Sequence, residues 1–174
     1  MPLQMMRRIL PISPGRGQLR DWLSAVGRPA LIREQVPVAH LAAGHIVHLR
    51  CPDAPVAGCG LHLPSGEDIG AWRAHEGLLG VSTHSLEEAL SAEDAGADYV
   101  LLSPVFRPTS KPEDDRPTLG LEGLEAAQRR LGIPVFALGG ITPANAEAVL
   151  AVTFGVAVLG FLAEVPERIQ EFPC

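Results

Sequence analysis

Short apolar runs recur along the whole chain, and most are continuous rather than alternating. They span residues 8–13, 30–33, 45–49, 60–63, 78–81, 99–103, 135–138 and 155–159. Runs of this length and character describe strands covered on both faces, as in a parallel sheet. Between several of them the pattern changes to the helical period. Residues 18–26 place Leu19, Trp22, Leu23 and Val26 on one stripe. Residues 86–95 follow Ser85 and Glu88, which stand in capping-box spacing. Helices are also expected over 121–131 and 145–151, the latter with Thr142 as N-cap and Pro143 at its first position. A short helix is expected in "FLAEVPERIQ" after the last strand.

Strands alternating with helices in this way predict an α/β protein, a (β/α)8 TIM barrel forming one domain over residues 1–174. The chain is short for that fold, which usually needs about 200 residues or more. The shortage falls in the first half. Residues 33–45 leave room for a turn or two of helix, and "CPDAPVAG" at 51–58 carries two prolines and cannot form a full crossover helix. The expected barrel therefore has eroded helices around strands 2–4. The apolar wall this would expose over residues 33–60 favours a homo-oligomer. An open doubly wound sheet is the alternative architecture.

Composition narrows the partners. Hydrophobic residues make up 47% of the chain but aromatics only 5%, so aliphatic packing must fill the core. A formal charge of −6 argues against nucleic acid and anionic membranes as partners. An anionic ligand would need its own cationic or amide-lined pocket. No apolar run approaches the roughly 20 residues that span a bilayer. The first 15 residues, broken by Pro11 and Pro14, do not read as a signal peptide. The three cysteines match no zinc spacing and are expected as thiols. A cytoplasmic protein is the resulting expectation.

The candidate chemistry gathers at the carboxyl ends of the strands. "PVFALGGITPANAEAV" stops an apolar run at Gly139 and Gly140, just before a helix start. Backbone amides beside a helix N-terminus suit an anion, although two glycines can also serve only a tight turn. The next strand, "GVAVLG", also ends in glycine, Gly160. In barrels a phosphate commonly sits between the loops after strands 7 and 8, so the paired glycines point to a phosphate cradle. A bulky residue at 140 would then fill the cradle and spare the fold. The long loop after strand 6 carries Thr109, Ser110 and Lys111, hydroxyls and an ammonium suited to phosphate or carboxylate, whether as a lid or as a solvated loop. His84, in "GVSTHS", could move protons near neutral pH, or could merely bind a backbone carbonyl beside a helix cap. His62 in "LHLPSG" faces the barrel interior or the helix layer. Arg33 in "LIREQ" is a second anion contact or one half of a solvated rim pair.

Together these stretches resemble a known family. "GVSTHSLEEALSAEDAGADYVLLSPVF", "TSK", "PVFALGGITPANAEAV" and "GVAVLGFL" are similar to the thiamine phosphate synthase/TenI barrels, densely over residues 60–162 and thinly before, where "LIREQ" matches a strand 2 "LRE" motif. The resemblance implies that Gly139, Gly140, Leu159 and Gly160 hold a thiazole phosphate through backbone amides. It implies further substrate contacts from Arg33, Ser103, Ser110 and Lys111. "LPSG" with "VSTHSLEEA" resembles the TenI branch, the thiazole tautomerases, which implies a proton shift on a thiazole phosphate with no cofactor. In that branch a Gly-His pair follows strand 6, where this chain has Ser103-Pro104, so His84 becomes the expected catalytic group. The synthase branch joins a thiazole phosphate to an aminopyrimidine diphosphate with Mg²⁺. Its strand 3 metal-binding aspartate is replaced here by His48 and Leu49, and Asp68 stands near a second metal carboxylate. The expectation is a tautomerase with no metal site and little capacity to make thiamine phosphate. A divergent synthase and a non-catalytic phosphate-ligand binder are the alternatives.

Overall fold

A computed structural model describes residues 9–13, 19–26, 30–33, 45–48, 57–108, 113–162 and 165–173. Eight parallel strands form one sheet: β1 (Ile9–Pro11), β2 (Leu31–Ile32), β3 (Ile46–His48), β4 (Gly60–Leu63), β5 (Leu79–Thr83), β6 (Tyr99–Leu102), β7 (Val135–Ala137) and β8 (Gly155–Val158). Their order is β1-β8-β7-β6-β5-β4-β3-β2. The sheet curls far enough for its two end strands to meet. Ile12 and Leu31 form an isolated parallel bridge, and the Ser13 N–H donates to the Leu31 carbonyl at 2.9 Å. The open doubly wound sheet is thereby set aside for a curled parallel one.

Neighbours along each apolar run point to opposite faces, so one run feeds two cores. The concave face collects Leu10, Ile12, Leu31, Ile46, Tyr99, Leu101, Phe136 and Ala157. The outer face, with Ile9, Ile32, Leu61, Leu63, Val81, Val100, Leu102, Val135 and Val156, packs against the helices. Two rings dominate the concave core. Tyr99 and Phe136 meet edge to face at 5.8 Å, and Phe136 meets Phe154 at 5.4 Å. The neighbouring strand makes room for Tyr99 by carrying Gly80, paired with it in register. A Cβ at position 80 would lie inside the tyrosine ring.

Four α-helices occur among the described residues: α1 (Leu19–Val26), α2 (Leu86–Asp94), α3 (Gly120–Arg130) and α4 (Pro143–Val152). The α2 start is capped by Ser85 Oγ, which accepts from the Glu88 N–H at 3.1 Å. The Glu88 carboxylate reaches back one residue further than a capping box requires, accepting from the His84 N–H at 2.9 Å. Gly96, at φ +101°, ends the helix in the left-handed region. On α3, Gln128 Oε1 accepts from the N–H groups of both Val135 and Phe154, tying the helix to the starts of β7 and β8. Thr142 and Pro143 open α4 as expected, with the Thr142 N–H donating to Asn145 Oδ1 at 2.9 Å.

One expectation changes. "FLAEVPERIQ" does not form one helix. It holds two 3-10 turns, Gly160–Leu162 and Pro166–Glu171, because Pro166 has no N–H to continue a helical ladder. The β4 to β5 crossover is likewise a 3-10 turn, Ile69–Trp72, entered through Gly66 at φ +82°. The expected thinning of helix cover over residues 33–60 falls mostly on residues 34–44 and 49–56, outside the described residues, as does Cys51. Cys59 is buried and forms no disulfide.

The Gly80–Tyr99 fit is the tightest side-chain constraint in the concave core. Gly80→Ala is expected to lower stability by about 2–3 kcal/mol, read by denaturant unfolding. Adding Tyr99→Leu to that variant should recover part of the loss.

Candidate functional site

The strands deliver their carboxyl ends to one cavity of about 1060 Å³. Its wall includes Ser82 from β5 and His84 just after it, Ser103 and Pro104 after β6, Gly139 and Gly140 after β7, and Leu159 and Gly160 after β8. Arg33 after β2 also lines it. Of the residues expected to act, Arg33, His84, Ser103, Gly139, Gly140, Leu159 and Gly160 therefore share one cavity. Ser110 and Lys111 lie outside the described residues.

The segment after β6 explains why two glycines follow β7. Beyond Leu102 the chain continues alongside β7, with the Val105 N–H donating to the Leu138 carbonyl at 2.9 Å and the Phe106 N–H to the Gly139 carbonyl at 3.1 Å. Gly139 and Gly140 adopt φ +101° and +64° beneath it. A Cβ on Gly140 would stand 2.7 Å from Phe106 Cβ and 2.9 Å from the Arg107 carbonyl. The expected empty cradle at position 140 is thus filled by neighbouring backbone, and a bulky residue there would disturb the fold as well as the ligand. No acceptor among the described residues takes the N–H of Gly139, Gly140 or Ile141. These amides stand at the start of α4, where an anion is favoured by both the donors and the helix dipole.

A polar chain runs up the concave face to the cavity floor. His62, which lines the cavity, is fully buried, with Nδ1 3.0 Å from the Tyr99 hydroxyl and Nε2 2.9 Å from Ser82 Oγ. Burial pushes the Tyr99 phenol far above its ordinary pKa, with the Asp98 charge adding to the effect, so the hydroxyl keeps its proton. The phenol can donate to Nδ1 or accept from it; when it donates, the imidazole proton sits on Nε2 and is donated to Ser82, which leaves the Ser82 hydroxyl proton for a ligand. His62 therefore faces the sheet's concave side, one of its two expected orientations. Sequence reading gave its neighbour Ser82 no role, because the alternation that aims both inward is hidden in continuous apolar runs.

His84 lies where both of its readings placed it. It lines the cavity, and it binds a backbone carbonyl beside a helix cap. Its Nδ1 lies 2.9 Å from the Ser103 carbonyl and 3.3 Å from Ser103 Oγ. The same nitrogen is 2.8 Å from an Arg116 nitrogen, NH1. Arg116 in turn forks onto Asp114, Nε to Oδ1 at 2.8 Å and NH2 to Oδ2 at 2.6 Å. Among the described residues, Arg107 and Arg168 join Arg116 and Arg33 to make four guanidinium groups on the wall, against one carboxylate, Asp114. An acidic chain has thus concentrated positive charge where the glycine amides lie. Arg107, Arg116 and Arg168 were missed by sequence reading. Only the length of the loop after β6 signalled a special segment there.

Among the described residues no group of three or more His, Cys, Asp or Glu could hold a metal ion. Asp68 uses its carboxylate to cap the 3-10 turn, accepting from the Gly70 N–H at 3.0 Å. It is not on the cavity wall.

The model of the family described as thiamine monophosphate synthase matches residues 17–161. Curated relatives include the thiamine-phosphate synthase of Chloroflexus aurantiacus, 38% identical over 143 residues, covering 82% of this chain and 61% of the relative. That of Methanocella arvoryzae is 36% identical, covering 77% of this chain and 58% of its own. The chain spans about three fifths of the length of these relatives. Among solved structures, thiamine phosphate pyrophosphorylase from Pyrococcus furiosus is similar with a TM-score of 0.77 and 28% identity, over 98% of this chain and 95% of that one.

Gly140→Ala is expected to cost about 2 kcal/mol of stability, from the left-handed backbone and the contact with Phe106. Thermal and denaturant unfolding check this. Stability equal to the parent would mean that the β6 segment moves aside.

Proposed function

The chain belongs to the thiamine monophosphate synthase family, and we propose that it is a transferase of thiamine biosynthesis, joining a thiazole phosphate to an aminopyrimidine diphosphate. One observation carries this reading: a single cavity offers two kinds of anion binder. The unpaired amides of Gly139 and Gly140 suit a monophosphate, and the guanidinium groups suit a more highly charged partner. At about 1060 Å³ the cavity has room for two small substrates.

This reading replaces the tautomerase expectation as the first choice. The curated relatives reported above carry the synthase name, and Pro104 stands where a proton-carrying histidine would be needed. In the transferase the glycine amides, with Gly160 and Leu159 beside them, hold the thiazole phosphate. Ser82, oriented through His62, presents a hydroxyl to the reacting partners. The arginines receive the charge that develops on the departing diphosphate. Arg33 and Ser103 border the same space, and Ser110 and Lys111 are assigned to the substrate from the family resemblance. Among the described residues the donor set does not fit Mg²⁺. The same reading takes the curled sheet as a full (β/α)8 barrel closed at Ile12 and Leu31, forming one domain, in a cytoplasmic protein that self-associates through its thin side.

A tautomerase is the second reading, favoured by His84 on the cavity wall with no partner for Nε2 among the described residues. Purified chain supplied with both substrates is expected to form thiamine phosphate and release pyrophosphate. Consumption of a thiazole tautomer without joining would overturn the transferase. His84→Gln should then abolish that isomerisation while retaining ligand binding.

A further inference from the structure

Among the described residues the cavity wall gathers groups suited to an anion of high charge and holds no counterpart for a cation. Mg²⁺ requires several oxygen donors in near-octahedral array. The one carboxylate on the wall among the described residues, Asp114, is already forked onto Arg116. A divalent ion placed there would meet four guanidinium groups. A diphosphate would meet the same groups as partners.

We propose that Arg107 and Arg116, on the segment after β6, together with Arg168 from the turn after β8, form a metal-independent subsite for a diphosphate group. The subsite deepens, and rests on, the reading of the cavity as a two-anion site. Its parts share a design. Arg116 spends Nε and NH2 on Asp114, whose side chain is only 10% exposed while that of Arg116 is 41% exposed. A buried carboxylate thus anchors an accessible guanidinium. Arg168 spends the same two nitrogens on Glu171, at 2.7 and 3.2 Å, and lies over the Phe161 ring at 3.8 Å. In both, the carboxylate fixes the plane and leaves NH1 out of the fork; in Arg116 that nitrogen rests against His84. Arg107 has no side-chain partner among the described residues.

The contact from Arg116 NH1 to His84 can be given up without leaving a polar group unpaired. His84 Nδ1 lies within reach of an obligate donor, Arg116 NH1 at 2.8 Å, and an obligate acceptor, the Ser103 carbonyl at 2.9 Å. One nitrogen can serve only one of them at a time. When NH1 turns to a ligand, the imidazole proton moves to Nδ1 and is donated to Ser103. The carbonyl that was idle becomes paired, so the exchange avoids the cost of an orphaned group. His84 is in this sense the resting place of a ligand-binding donor.

The test is calorimetric titration of the full chain with inorganic pyrophosphate in EDTA, repeated with Mg²⁺ and with inorganic sulfate. Binding in EDTA is expected, with affinity well above that for sulfate. Arg116→Gln and Arg107→Gln should each weaken it about tenfold or more. The Arg107→Gln variant breaks no contact among the described residues, so its unfolding midpoint should match the parent even if loss of the Asp114 fork disturbs the other variant. Binding that appears only with Mg²⁺, binding unchanged in both variants, or sulfate binding as tightly as pyrophosphate would each overturn the subsite. Thiamine phosphate formation that needs Mg²⁺, with no pyrophosphate binding in EDTA, would sink the subsite and leave the transferase standing. Binding in EDTA by a chain that makes no product would do the reverse.

Discussion

The backbone of residues 104–107 lying against Gly139 and Gly140 is the contact on which the site depends. Two hydrogen bonds, Val105 N–H to Leu138 and Phe106 N–H to Gly139, extend the β6–β7 pairing past the formal strand ends. Any side chain at 139 or 140 would push the segments apart, since Pro104 and Phe106 already stand at van der Waals distance or closer. The glycines are thus needed twice. They admit the neighbouring backbone, and their left-handed conformations leave consecutive N–H groups without acceptors among the described residues. The amides of Gly139 and Gly140 and the base of the arginine-bearing loop are one piece of structure.

Much of this was legible in the residues. The strand runs, the Thr142-Pro143 helix start and the Ser85 cap are local signals, fixed by a few neighbouring residues and by backbone chemistry that hardly depends on context. What failed to show were contacts set by register. Tyr99 can lie across Gly80 only because the two are paired between strands, and His62 reaches Ser82 across the same kind of pairing. Arg116 meets His84 across 32 positions, through a loop whose course no periodicity predicts. The helix expected in "FLAEVPERIQ" failed because Pro166 outweighed the pattern around it. The leaning towards a tautomerase rested on short motifs that do not separate the branches. The balance of anion binders across the whole cavity is what favours a transferase.

Electrostatics ties the cavity to the rest of the molecule. With a formal charge of −6 the chain repels anions at a distance. Its cavity nevertheless gathers four arginines beside a helix N-terminus. Within about 8–10 Å, the Debye length at physiological salt, the local field outweighs the global one. Anchoring two of them, Arg116 and Arg168, on carboxylates lowers the cost of crowding the four, and it also spares that pair the conformational entropy that a free side chain would lose on meeting a ligand.

The loop between Phe106 and Leu119 leaves and re-enters the fold almost at one point. The N–H of Leu119 donates to the Pro104 carbonyl and that of Gly120 to the Val105 carbonyl, both at 3.0 Å. With its two ends clamped together, the span between them behaves as a closed ring whose circumference the sheet never senses. Closure entropy grows only logarithmically with length, so doubling such a ring costs about 0.6 kcal/mol. Insertions, deletions and wholesale exchange of its side chains can therefore accumulate there while β6, β7 and α3 stay in register. Ligand preference becomes an evolutionary variable separable from foldability, carried on a cassette that can be rewritten without renegotiating the core.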